Sequence, residues 1–164
     1  MLTGLYVGVV GPTTATPEWE QIAHEVGTRL ARSGCVLICG GMQGVMEAAC
    51  RGAYTAGGLT VGLLPHGHRG QGNQYLSVAL PTGLGELRNG LIVRSSDVLV
   101  AIGGGWGTMS EVALAMRTDK PVVALGAWGV VDSASNPVPD GPARARSVEE
   151  LWTLLESGSA VPRA

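Results

Sequence analysis

Short runs that are apolar almost throughout punctuate this chain, and nearly all of them end in glycine or proline. They are LYVGVV (5–10), CVLIC (35–39), LTVGLL (59–64), DVLVAI (97–102) and PVVAL (121–125). A strand with one face in water alternates apolar and polar residues, whereas a strand apolar at every position is buried on both faces. Between the runs the period changes to that of a helix. Thr16 and Pro17 make a helix start, cap then first-turn proline, followed by Trp19, Ile22, Ala23, Val26 and Leu30 on one face and a stop at Ser33-Gly34. Further helices are expected over about 45–56, over 84–95, along GTMSEVALAMRT (107–118) and after the S-x-x-E pair of Ser147 and Glu150. Buried strands alternating with helices imply a doubly wound, mainly parallel α/β sheet of Rossmann-like type. The whole of 1–164 reads as a single domain. LSVAL (76–80) is a further short strand, 65–75 a polar glycine-rich loop, 132–146 a mobile surface loop and 158–164 a frayed tail.

Composition narrows the function. With 164 residues, 45% hydrophobic and 15% charged, the chain has enough apolar surface for a large core and a buried subunit interface. The formal net charge is -2 and there is no basic block, which excludes nucleic acid as the main partner. The apolar runs are of strand length and no cationic segment precedes the first, so neither a membrane span nor a signal peptide is expected, and the chain reads as cytoplasmic. Cys35, Cys39 and Cys50 match neither a disulfide framework nor a zinc pattern, and are expected as core residues. HGHR (66–69) has no carboxylate nearby in sequence, so no metal site is expected.

Ligands of such sheets sit beyond the carboxyl ends of the strands, near the point where strand order reverses. Three glycine-rich turns fall at such ends: GPTT (11–14), GGMQG (40–44) and GGGWGT (103–108). Each leads towards a helix whose free N–H groups and dipole attract an anion. Gly11, Thr13, Gly40, Gly41, Gly44, Gly103, Gly104, Gly105, Trp106, Gly107 and Thr108 are therefore candidate ligand-binding residues, and the expected partner is a phosphorylated small molecule. There is no P-loop GxxxxGK[ST] and no GxGxxG after the first strand. The chain's one lysine, Lys120, directly precedes Pro121, a poor place for a pyridoxal-phosphate Schiff base. Glu111 stands open between two readings. Thr108 and Glu111 make a T-x-x-E capping box, or else Glu111 faces the pocket and grips sugar hydroxyls or a cationic transition state. Arg88, with Arg94 as its competitor, is either an exposed helix arginine or a phosphate or base contact.

CGGMQGVMEAACRGAYTAGGLTVGLLP, PTGLGELRN and AIGGGWGTMSEVALAM together resemble the molybdenum-cofactor carrier protein family, within the superfamily of the Lonely Guy phosphoribohydrolases. The resemblance covers about residues 4–126. It implies a Rossmann-like fold, a homodimer or homotetramer, and glycine turns that hold an anionic ligand, molybdenum cofactor or nucleotide, with no further cofactor required. The Lonely Guy enzymes split nucleoside 5'-monophosphates at the N-glycosidic bond, and their pattern reads PGGxGTxxE with an upstream arginine-lysine pair. Gly104, Gly105, Gly107, Thr108, Glu111 and Arg88 match it. Gly103 stands in the proline position and Asn89 in the lysine position, as in the carrier branch. The resemblance thus implies that Glu111 is a pocket residue that also caps, that Arg88 outranks Arg94, and that Glu111 and Arg88 are catalytic if the chain is an enzyme.

Overall fold

A computed structural model describes residues 2–157. Its strands are β1 (Tyr6–Val10), β2 (Val36–Cys39), β3 (Leu59–Leu64), β4 (Val78–Pro81), β5 (Val98–Ile102), β6 (Val122–Leu125) and β7 (Ala143–Ala145). The helices are α1 (Pro17–Arg32), α2 (Val45–Thr55), α3 (Asn89–Ser95), α4 (Trp106–Arg117) and α5 (Val148–Glu156). The strands form one seven-stranded sheet in the order β4-β3-β2-β1-β5-β6-β7. Every pairing is parallel. From β1 the chain winds outward through β2, β3 and β4, then returns to the other side of β1 and winds outward again. The reversal lies between β1 and β5, and β2, β1 and β5 are adjacent, which brings the three glycine turns to one end of the sheet.

Strand side chains alternate between two apolar layers. Val98, Val100 and Ile102 of β5 pack on the α1, α2 and α5 side, while Leu99 and Ala101 face α3 and α4. Fully buried Leu30, Leu37, Ile92 and Leu99 each contribute about 1.5–3 kcal/mol relative to exposure. Helix α1 begins as its sequence demands: Thr16 Oγ1 accepts the Trp19 N–H at 3.3 Å and Pro17 needs no acceptor. Helices α1 and α2 touch backbone to backbone. A β-carbon on Gly27 would fall on the carbonyl of Ala49, and one on Gly52 on the carbonyl of His24.

Four local expectations shift. Strand β4 runs from Val78 to Pro81, later than 76–80, because Leu76 turns inward and packs against Gly62 and Gly72. Residues 143–145, expected as loop, add β7 to the sheet edge beside β6. Before α3, Gly85–Arg88 forms a tight 3-10 turn in place of the first turn of the expected helix. Helix α4 starts at Trp106 with Gly105 as its cap residue, so Thr108 is already inside the helix and T-x-x-E is not a capping box. The expected frayed tail, 158–164, lies outside the described residues.

Candidate functional site

A cleft of about 530 Å³ opens beyond the carboxyl ends of β1, β2 and β5. Its walls include Gly11 and Thr13 from the turn after β1, Gly105 at the cap of α4 with Trp106, Gly107, Thr108 and Glu111 from α4 itself, Arg88 just before α3 and Asn89 at its start. Those sequence candidates come together. Gly40, Gly41, Gly44, Gly103 and Gly104 do not line the cleft, because their work is to let neighbours approach. A β-carbon on Gly40 would lie 2.5 Å from Arg88 Nη1 and 2.6 Å from Nη2, so the guanidinium rests against the bare end of β2. Gly41, at φ +70°, packs under Leu64 and Leu76. Gly44, at φ +64°, caps α2 where the Val45 N–H reaches the Pro12 carbonyl at 3.2 Å. Gly103 turns the chain at φ +67° beside Pro12, and Gly104 lies flat against the Trp128 ring.

The start of α4 is open. No side chain caps it, and the first-turn N–H groups have no acceptors within the helix. A β-carbon at Gly105 or Gly107 would meet nothing within 4 Å. Trp106, 81% exposed, stands at the rim and meets Trp128 edge to face at 5.1 Å.

Glu111 and Arg88 form the charged floor. Glu111 is 6% exposed and Arg88 8%. Arg88 Nη1 lies 3.7 Å from Glu111 Oε1, and it donates a hydrogen bond to Asn89 Oδ1 at 3.0 Å. Arg88 Nε is buried with no hydrogen-bond partner among the described residues. Burial pushes the Glu111 carboxyl up to about 7, and the guanidinium offsets only part of that rise. Burial likewise lowers the Arg88 pKa against the pull of Glu111. Asn89 Nδ2 donates to Ser110 Oγ at 3.1 Å, tying α3 to α4. Arg94, the competitor, is exposed and outside the cleft.

The sequence reading missed Met42, Met46, Pro65, His66 and Glu86, which complete the walls. Met42 stands inside the GGMQG turn and Pro65 and His66 directly follow β3, so position after a strand was the signal available for them. The cysteines are buried as expected, with Cys39 and Cys50 Sγ atoms 3.4 Å apart. Lys120 lies just before β6, at the opposite end of the sheet, where Nζ donates to the Ser96 carbonyl.

The SLOG cluster4 family matches residues 4–151. The chain belongs to this family. The molybdenum cofactor binding protein of Rippkaea orientalis superposes with a TM-score of 0.84 at 38% identity, over 96% of this chain and 98% of that one. The molybdenum cofactor carrier protein of Chlamydomonas reinhardtii superposes with a TM-score of 0.80 at 33% identity, over 94% and 97%. The cytokinin riboside 5'-monophosphate phosphoribohydrolase of Mycobacterium tuberculosis is 31% identical over 130 residues, 74% of this chain and 68% of that protein. This SLOG member therefore has carrier proteins as structural neighbours and a Lonely Guy phosphoribohydrolase among its relatives, the two groups its motifs resemble.

Proposed function

We propose that this SLOG protein binds a phosphorylated small molecule, of molybdenum-cofactor or nucleotide type, and carries it without cleaving it. The observation that carries this reading is the uncapped start of α4, open at Gly105 and Gly107 and lined by the cleft. The phosphate rests on the N–H groups of Trp106, Gly107 and Thr108, where helix geometry and dipole both favour an anion. Arg88 Nε, buried and unpartnered, supplies a charged donor to the same ligand. Pro12, Met42 and Met46 give the organic part an apolar wall. Asn89, in the lysine position of the hydrolase pattern, is already engaged with Arg88 and Ser110, which speaks for holding over cleavage. Carrier neighbours that align over nearly the whole chain support the same choice.

One observation favours the phosphoribohydrolase reading. Glu111 lines the cleft with no hydrogen-bond partner among the described residues, placed to steady positive charge at an anomeric carbon. Incubation with a panel of nucleoside 5'-monophosphates, with chromatography for free base and calorimetry for binding, separates the two. The carrier reading expects binding without base. Free base released by the wild type and abolished in Glu111→Gln, with affinity retained, replaces it with the hydrolase. No binding of any phosphorylated ligand, molybdopterin included, overturns both.

A further inference from the structure

A second cavity, of about 400 Å³, lies on the far side of α4 from the cleft. That volume falls within the ~300–1,000 Å³ typical of small-molecule sites. One wall is the α4 face of Met109, Val112 and Met116, and the other is the arm from Trp128 to Pro142. The arm is a built structure. Val131 and Pro137 form an antiparallel bridge, and the Val138 N–H donates to the Val130 carbonyl at 3.2 Å. The Asp132 carboxylate accepts the N–H groups of Ala134 at 2.8 Å and Asn136 at 3.0 Å.

Against these apolar walls stands one cation. The guanidinium of Arg144, on the edge strand β7, lies across Gly129, where a β-carbon would fall 2.7 Å from Nη2. Its side chain makes no hydrogen bond or ion pair among the described residues, and Asp140 on the same rim does not pair with it. Its donors are therefore available. The Trp128 ring joins the two sites. One side of it lines this cavity, and it also backs Gly104 and meets Trp106 at the mouth of the first cleft.

We propose that this cavity is a second ligand site, which takes a small amphipathic anion with its ring or alicyclic body between α4 and Trp128 and its carboxylate, sulfonate or phosphate on Arg144. The charge on Arg144 selects a small anion over an uncharged apolar segment of another chain. The site stands independently of what the first cleft binds.

The probe is 1-anilinonaphthalene-8-sulfonate, an aromatic body with one anionic group, titrated into the full chain. Dye emission and energy transfer from tryptophan report binding. One saturable site is expected. Arg144→Gln weakens it about tenfold, the scale of one charge-assisted hydrogen bond. Ala113→Trp fills the cavity from α4 and abolishes binding, and Val138→Trp fills it from the arm should the first variant not fold. Arg32→Gln, on an exposed arginine of α1 outside this cavity, leaves binding unchanged. Absence of saturable binding, binding that survives both filling variants, or indifference to Arg144→Gln overturns the proposal. So does sedimentation showing that the filling variants dissociate an oligomer, which would make the cavity an interface between copies.

Discussion

At Gly40 the missing side chain makes room for a cation. Arg88 lies against that backbone, and from there its guanidinium reaches Glu111. Gly40→Ala sets a methyl group inside the guanidinium's place. Overpacking of this kind costs about 1–3 kcal/mol, and it displaces Arg88, so thermal unfolding and phosphate-ligand affinity should fall together. Glu111 gives a pH signature of its own. A carboxyl whose pKa rises on folding holds its proton more tightly in the folded state. Its contribution to stability is therefore complete below the ordinary value near 4.5, and it is lost as pH climbs to about 7. The loss is roughly 3 kcal/mol at most. Denaturant unfolding at pH 5 and pH 8 should show this decline in the wild type, and Glu111→Gln should flatten it. A decline equally steep in the variant assigns the dependence to other groups.

At the scale of elements, the start of α4 and the contact of α1 with α2 use glycine for opposite reasons. Gly105 has φ 175°, extended backbone open to any residue, and empty space around its β-carbon position. Gly105→Val should therefore leave stability within about 1 kcal/mol of wild type and weaken phosphate-ligand binding about tenfold or more, because its side chain enters the cleft. Calorimetric titration beside thermal melting separates the two effects. An unchanged affinity removes the phosphate from this turn. Gly27 is the reverse case. Helix propensity alone makes Ala better than Gly by about 1 kcal/mol. The Ala49 carbonyl occupies the place of the new methyl group, so Gly27→Ala should instead destabilise, on the order of 3 kcal/mol, in chemical denaturation. The two glycines look alike in sequence, since each interrupts or precedes a helical run. What separates them is whether another backbone stands opposite.

For the molecule as a whole, the stretch before and within α3 carries an exposed apolar face. Leu87 is 80% exposed, with Leu84 at 46% and Leu91 at 40% on the same stretch before and within α3. We propose that this face contributes to a homodimer or homotetramer. Leu87→Glu should lower the sedimentation coefficient towards that of a monomer with little change in secondary structure, since the side chain makes no core contact. An unchanged coefficient places the interface elsewhere. Among the described residues no helix is long and apolar enough to cross a membrane.

The amino-acid sequence by itself determined the sheet and the end of it that matters. Strands apolar throughout, helices with caps at Thr16 and Ser147, and glycine turns after β1, β2 and β5 are local signals, written in neighbouring residues and therefore readable. It also singled out Arg88 and Glu111, through short motifs that carry a resemblance. Only the tertiary structure decided what those residues do to one another. Arg88 and Glu111 are far apart along the chain and meet across a distance of 3.7 Å because α3 and α4 pack side by side. T-x-x-E looked like a cap because a capping box has the same spacing, but the cap of α4 is Gly105, three residues before Thr108. The short edge strand β7 and the hairpin arm before it escaped notice because their pairing partners, not their own residues, make them regular. Burial of a carboxylate, the company of a guanidinium and the shape of a cleft arise from contacts between distant segments, and no single stretch of sequence contains them.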